Sequence, residues 1–188
     1  MDLIYPPLCL ECREPCKTKY FCPECWGLCE PPDPAERCRH CFGEVDQVRA
    51  MCQECRREPK VGVVRAYVFD GESPVGRLEE WERLAGFAVY QWIRLEWPMP
   101  DVIVPMPDEE SESVGEAFSA LMQLPFAKAL RRGGDQFELR EEVEGDVLIV
   151  DAANPVEFLQ GGAMAVAEAF PKRIFLLSLF PDDYFSRD

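Results

Sequence analysis

The chain has 188 residues, 47% of them hydrophobic and 11% aromatic, a composition that excludes an intrinsically disordered polymer. Its 20 Lys and Arg stand against 35 Asp and Glu, and the formal charge of -15 excludes a general duplex-DNA binder unless the basic residues cluster. Apolar runs such as residues 174–177 fall far short of the ~20 residues that cross a bilayer, and the first residues carry no secretory signal, so a cytoplasmic protein without membrane insertion is expected.

All ten cysteines lie between Cys9 and Cys55. Eight of them form four Cys-x-x-Cys pairs, Cys9 with Cys12, Cys22 with Cys25, Cys38 with Cys41 and Cys52 with Cys55. Nine residues separate the first two pairs, ten the last two and twelve the halves, which reads as an internal duplication. A Cys-x-x-Cys turn points two thiolates at one centre while its amides donate to the sulfurs, and two turns complete a tetrahedral four-sulfur site. The spacing predicts two structural zinc ions with these eight cysteines as ligands, one ion per ribbon. The short loops favour sequential use of the pairs, and crossed use is also geometrically allowed. A closed site leaves no position for chemistry and supplies folding energy that ~25 residues cannot obtain from apolar burial. A disulfide framework is the alternative, against which the missing secretory signal argues. A redox Cys-x-x-Cys would need a thioredoxin-like βαβ context that is absent. Each filled site adds four thiolates and one dication, taking the charge from -15 to about -19.

Cys16 and Cys29 each follow a pair by four residues and read as small buried side chains, with alternate ligation or redox sensitivity as the functional reading. His40, between Cys38 and Cys41, is a solvated side chain or a spare ligand. As the sole histidine it excludes His-based triads. Residues 1–60 carry 9 basic against 11 acidic side chains, or -2, and residues 61–188 carry 11 against 24, or -13. This contrast divides the chain into a double zinc ribbon over 1–60 and an α/β domain over 61–188, joined by the polar linker 56–60.

In the second part, residues 61–69 are rich in valine and aromatics and suit a strand. Ser73 and Pro74 then predict a helix start, and Leu78, Trp81, Ala85, Ala88, Trp92 and Leu95 recur at steps of three and four, so the tryptophans belong to a buried face. Residues 101–105, 145–151 and 173–180 are apolar runs, the first two followed by helical stretches, with a helix over 155–170. They predict parallel strands of a doubly wound sheet. Ligands of such sheets sit beyond the carboxyl ends of the strands, here residues 105–112 and 151–159. The acidic stretch Asp108, Glu109, Glu110 and Glu112 is expected to be a solvated loop, with an Mg²⁺-binding or partner-binding acidic patch as the alternative.

Two ribbons, the stretch from Val64 to Gly71, the helix Val75, Gly76, Arg77 and Leu78, the segment ending Pro105, Met106 and Pro107, and the strand Val147 to Asp151 resemble, in that order, the ComF family. The resemblance covers nearly the whole chain. It implies a double zinc ribbon followed by a type I phosphoribosyltransferase domain, and a link to competence and DNA uptake. In the family the strand matching Val147 to Asp151 runs into two aspartates and a Thr-Thr-Gly loop that holds phosphoribosyl pyrophosphate. Here Asp151 alone matches, as the ribose-hydroxyl residue. Ala152 replaces the second carboxylate, and Pro155, Val156 and Glu157 replace the loop. Asn154, Pro155 and Glu157 read instead as N-cap, first residue and third residue of a helix, a capping box that places a carboxylate in the anion site. The family's arginines after its Pro-x-Pro segment are also missing, with no cation before Lys128.

The resulting expectation is a ComF-like protein whose ligand loop, Asp151, Asn154 and Glu157, is degenerate and which binds a macromolecular partner rather than catalysing. Two rival readings accompany it. One is an active phosphoribosyltransferase or nucleotide-binding enzyme using Asp151 with Arg131 or Arg132, whose phosphoribosyl site would call for Mg²⁺. The other is single-stranded nucleic-acid binding through the ribbons, with Arg37, Arg39, Arg49, Arg56, Arg57 and Lys60 on the backbone and Phe42 as a stacking surface.

Overall fold

A computed structural model describes residues 8–9, 11–17, 21–46, 51–57, 63–70, 81–134 and 136–180. Its centre is a sheet of four parallel strands in the order β1 (Val63–Tyr67), β6 (Arg173–Ser178), β5 (Asp146–Asp151) and β2 (Val102–Pro105). The chain is α/β, as the apolar runs predicted. β5 is buried at all six positions because both faces of a parallel sheet are covered, and this is why its sequence is apolar without alternation.

Successive residues nevertheless point to opposite faces. Leu148, Val150, Phe175 and Leu177 pack with Ala85, Ala88 and Trp92 of helix α3 (Ala85–Leu95) and with Val114 and Phe118 of α4 (Glu109–Met122). Val147, Ile149, Ile174 and Leu176 pack with Leu159, Ala163 and Val166 of α5 (Val156–Ala167) on the other face. Trp92 is 3% exposed and Trp81 half-buried, so the tryptophan stripe is core at Trp92. The helix start predicted at Ser73 and Pro74, the segment from Val75 to Leu78, and residues 61 and 62 of the first strand lie outside the described residues. A 3-10 turn, Trp81–Leu84, leads into α3.

A hairpin of β3 (Leu130–Gly133) and β4 (Gln136–Leu139) packs against α5, an element the sequence reading did not contain. The acidic stretch expected as a solvated loop opens α4 instead. Asp108 is the N-cap, its carboxylate accepting from the Ser111 amide at 2.8 Å, and Glu109, Glu110 and Glu112 lie in the first turn, where the helix dipole favours negative charge.

The cysteine region repeats one unit twice. In the first half, Cys9 N donates to Glu14 O (2.9 Å) and Arg13 N to Cys9 O (3.1 Å); in the second, Cys38 N donates to Gly43 O (2.8 Å) and Phe42 N to Cys38 O (3.0 Å). Arg13 and Phe42, equivalent in the repeat, are both left-handed, with φ of 62° and 61°. The second pair of each half then starts a five-residue helix, α1 (Pro23–Gly27) or α2 (Gln53–Arg57). The duplication read from the spacing is thus a duplication of backbone geometry.

The cysteine region and the sheet share one apolar cluster that runs from Cys9 and Phe21 to Phe175 and Phe180. Trp26 stacks on Phe87 at 5.8 Å, and Phe42 meets Tyr67 edge-on at 5.0 Å. Arg37 donates to Tyr67 Oη (3.0 Å) and pairs with Asp70 (3.1 Å). From α3, Gln91 Nε2 donates to Pro32 O (3.0 Å) and Arg94 Nη1 to Pro31 O (2.8 Å). Among the described residues no helix is long and apolar enough to cross a membrane.

Candidate functional site

The sulfurs of Cys9, Cys12, Cys22 and Cys25 lie within 4.8 Å of one another, and so do those of Cys38, Cys41, Cys52 and Cys55. The pairs are therefore grouped sequentially and not crossed. Cys12 and Cys22 sulfurs are 3.8 Å apart and Cys41 and Cys52 sulfurs 3.7 Å. A tetrahedron with zinc–sulfur bonds of about 2.3 Å has an edge of about 3.8 Å, whereas a disulfide needs about 2.05 Å, so the spacing fits a shared metal and not a disulfide. Amides support the sulfurs in matching positions, Cys25 N on Cys22 Sγ at 3.5 Å and Cys55 N on Cys52 Sγ at 3.4 Å. Burial and neighbouring sulfurs push the Cys25 and Cys55 thiols up, an effect that a bound dication reverses by replacing the protons. Each group can bind one structural zinc ion.

Cys16 and Cys29 stand outside both foursomes and are 6% and 1% exposed, with Cys29 Sγ donating to Cys25 O at 3.3 Å. His40 is also outside; its Nδ1 lies 3.7 Å from Cys55 Sγ, and its carbonyl accepts from the Arg65 amide of the edge strand β1 at 2.9 Å.

The second place to examine is the sheet's switch point. β2 leads into α4 on one face and its neighbour β5 leads into α5 on the other, so the crevice lies between residues 106–108 and 151–154. The chain fills it with its own polar groups. Asn154 Nδ2 donates to Asp108 Oδ2 at 2.7 Å and to Asp151 Oδ1 at 2.6 Å. The Asn154 amide also donates to Asp151, and Ser111 Oγ accepts from the Ala152 amide at 2.9 Å. Asp151 is 0% exposed.

Ser178, paired in register with Asp151, contacts both Asp151 Oδ2 and Phe180 O, the latter at 2.9 Å. One hydroxyl has one proton to donate, so both links form when Asp151 carries the proton of the first. Burial pushes Asp151 up to about 7, against the hydrogen bonds from Ser178 and Asn154 and with Asp108 adding to the rise. Ser178 escaped the sequence reading. The available signal was its place at the end of an apolar strand whose register sets it beside the one acidic residue closing β5.

The capping box expected at α5 is not formed. Pro155 is the N-cap with no side-chain cap bond, and Glu157 is exposed. Asn154 is drawn away by the Asp108 carboxylate, a charge-assisted partner stronger than a neutral amide. Asp108 and Asn154 are joined directly across the crevice, while Glu157 points to solvent.

The residues of the rival readings are largely engaged. Arg131 pairs with Glu138 across the hairpin, and the Arg132 guanidinium lies 4.2 Å from the centre of the Phe158 ring. Phe42 is 2% exposed, which removes it as a stacking surface. Arg37 is taken by Tyr67, Glu44 and Asp70, while Arg39, Arg56 and Arg57 are exposed. Arg49 and Lys60 lie outside the described residues. Compared with protein families and with curated proteins, the chain matches no family model and no curated sequence.

Proposed function

We propose that this chain is a ComF-like binding protein, two zinc-filled ribbons on a phosphoribosyltransferase-type α/β unit that has lost turnover and works through a macromolecular partner. The observation that carries this reading is the bridge of Asn154 between Asp108 and the wholly buried Asp151. A phosphate brought to this crevice would displace a hydrogen-bonded network and meet the Asp108 carboxylate, with Glu109, Glu110 and Glu112 in the following turn of helix. The parallel sheet, the order of its strands in the chain and the two cysteine groups support the family assignment, and the link to DNA uptake follows from the resemblance alone.

The test is a titration of the zinc-loaded protein with phosphoribosyl pyrophosphate and Mg²⁺ by calorimetry. No saturable binding in the micromolar range is expected. Saturable binding there would overturn the reading and return the chain to the transferases.

A further inference from the structure

A second cavity, of about 580 Å³, opens between the second cysteine group, the residues that follow α3 and the beginnings of β1 and β6. It is at the opposite end of the sheet from the switch-point crevice, and the described residues leave it open. Arg39, Arg65, Arg94 and Arg173 line it, against the two carboxylates Asp33 and Glu96. The wall therefore carries a formal +2 in a chain of -15. The second foursome, to which Cys38 belongs, would carry -2 when zinc-filled and cancel that excess at a distance, so an anion here would be held by guanidinium hydrogen bonds at contact and not by long-range steering.

The donors differ in what they already do. Arg94 is held by Pro31 O and by Asp33 at 3.4 Å, and it shapes the wall. Arg173 uses Nε and Nη2 on Asp146, which leaves Nη1 without a partner among the described residues. Arg39 is exposed and has no hydrogen bond or ion pair among the described residues. No structural role accounts for its guanidinium. Beside these cations stands Trp97, half-buried and fixed by Trp92 edge-on at 5.2 Å and by Phe175 at 5.0 Å. A cavity in the ligand-sized range, with forked cations next to a pre-oriented indole, suits a ligand with a phosphate at one end and a flat ring at the other.

We infer that the ribbon–sheet cavity binds a small aromatic phosphate of mononucleotide size, its phosphate on Arg39 and Arg173 and its ring on Trp97. The inference does not depend on the state of the switch-point crevice.

The experiment titrates the zinc-loaded full chain with AMP, adenosine and inorganic phosphate, read by tryptophan fluorescence and calorimetry. AMP should bind saturably and roughly tenfold or more tighter than either fragment, because only AMP uses both ends of the site. Arg39→Ala should weaken AMP by roughly tenfold while leaving zinc content and thermal midpoint unchanged, and Arg173→Lys, which keeps a cation on Asp146 but removes the guanidinium fork, should weaken it likewise. Three results would each overturn the inference. They are no saturable AMP binding up to about 10 mM, inorganic phosphate or adenosine binding as tightly as AMP, or wild-type AMP affinity in both arginine variants.

Discussion

Asp151 is the residue at which burial and charge meet most directly. Its folded-state carboxyl is pushed up to about 7 from an ordinary 3.8, so folding takes up a proton between those values. The sign follows. The group adds its full share of stability below about pH 4, and loses it as pH rises through about 7, where the shift of roughly three units corresponds to about 4 kcal/mol. Asn at this position would keep the neutral hydrogen-bond pattern at every pH, with its amide donating to Ser178 and its oxygen accepting from Asn154. Asp151→Asn should therefore gain on the wild type by about 2–3 kcal/mol between pH 5 and pH 8 in urea denaturation. A stability difference that stays constant over that range would show that Asp151 does not titrate as a buried acid.

At the level of elements, α4 lies against β2 and β5 only because Gly115 has no side chain. A Cβ there would meet Phe126 Cε2 at 3.1 Å and Pro105 Cβ at 3.3 Å, a ring and a proline with little room to move. Gly115→Val should cost about 2 kcal/mol through overpacking despite the gain in helix propensity, read as a lower urea midpoint. An unchanged midpoint would mean that α4 sits further from the sheet. The same elements show what the sequence could carry. β2, β5 and β6 were legible because burial on both faces writes itself as apolar runs such as Val147 to Val150. The hairpin was not, since β3 and β4 are four residues each, largely polar, and marked only by Gly133 and Gly134 at the turn. The start of α5 was misread for a different reason. Local spacing made Asn154 a cap, but its side chain is claimed by Asp108, 46 residues away, and no local pattern encodes that partner. The eight ligands, by contrast, were legible because each pair is local, and the short loops already favoured the sequential grouping that the structure shows.

For the whole molecule, the question is whether the cysteine region is an appendage or part of one core. Cys9, Phe21, Cys25 and Phe42 belong to the cluster that contains Trp92, Phe118 and Phe175, and Arg37, Gln91 and Arg94 tie the two parts by hydrogen bonds. A structural metal that organises the first part then stabilises the second through shared packing. Sequential grouping predicts that Cys9→Ser and Cys38→Ser each remove one of two zinc ions, measured by elemental analysis, since each serine empties one foursome and leaves the other intact. Chelation of both ions should lower the melting temperature of the α/β part by more than about 10 °C, followed in the near-ultraviolet circular dichroism of Trp92 and Trp97, whose rings pack at 5.2 Å on the sheet side of the cluster. If the cysteine region melts on chelation while that signal keeps its midpoint, the shared cluster contributes little, and the ribbons and the sheet are separate folding units that merely touch. If both fall together, metal occupancy controls the stability of the whole chain, and loss of zinc would dismantle any surface built across the junction.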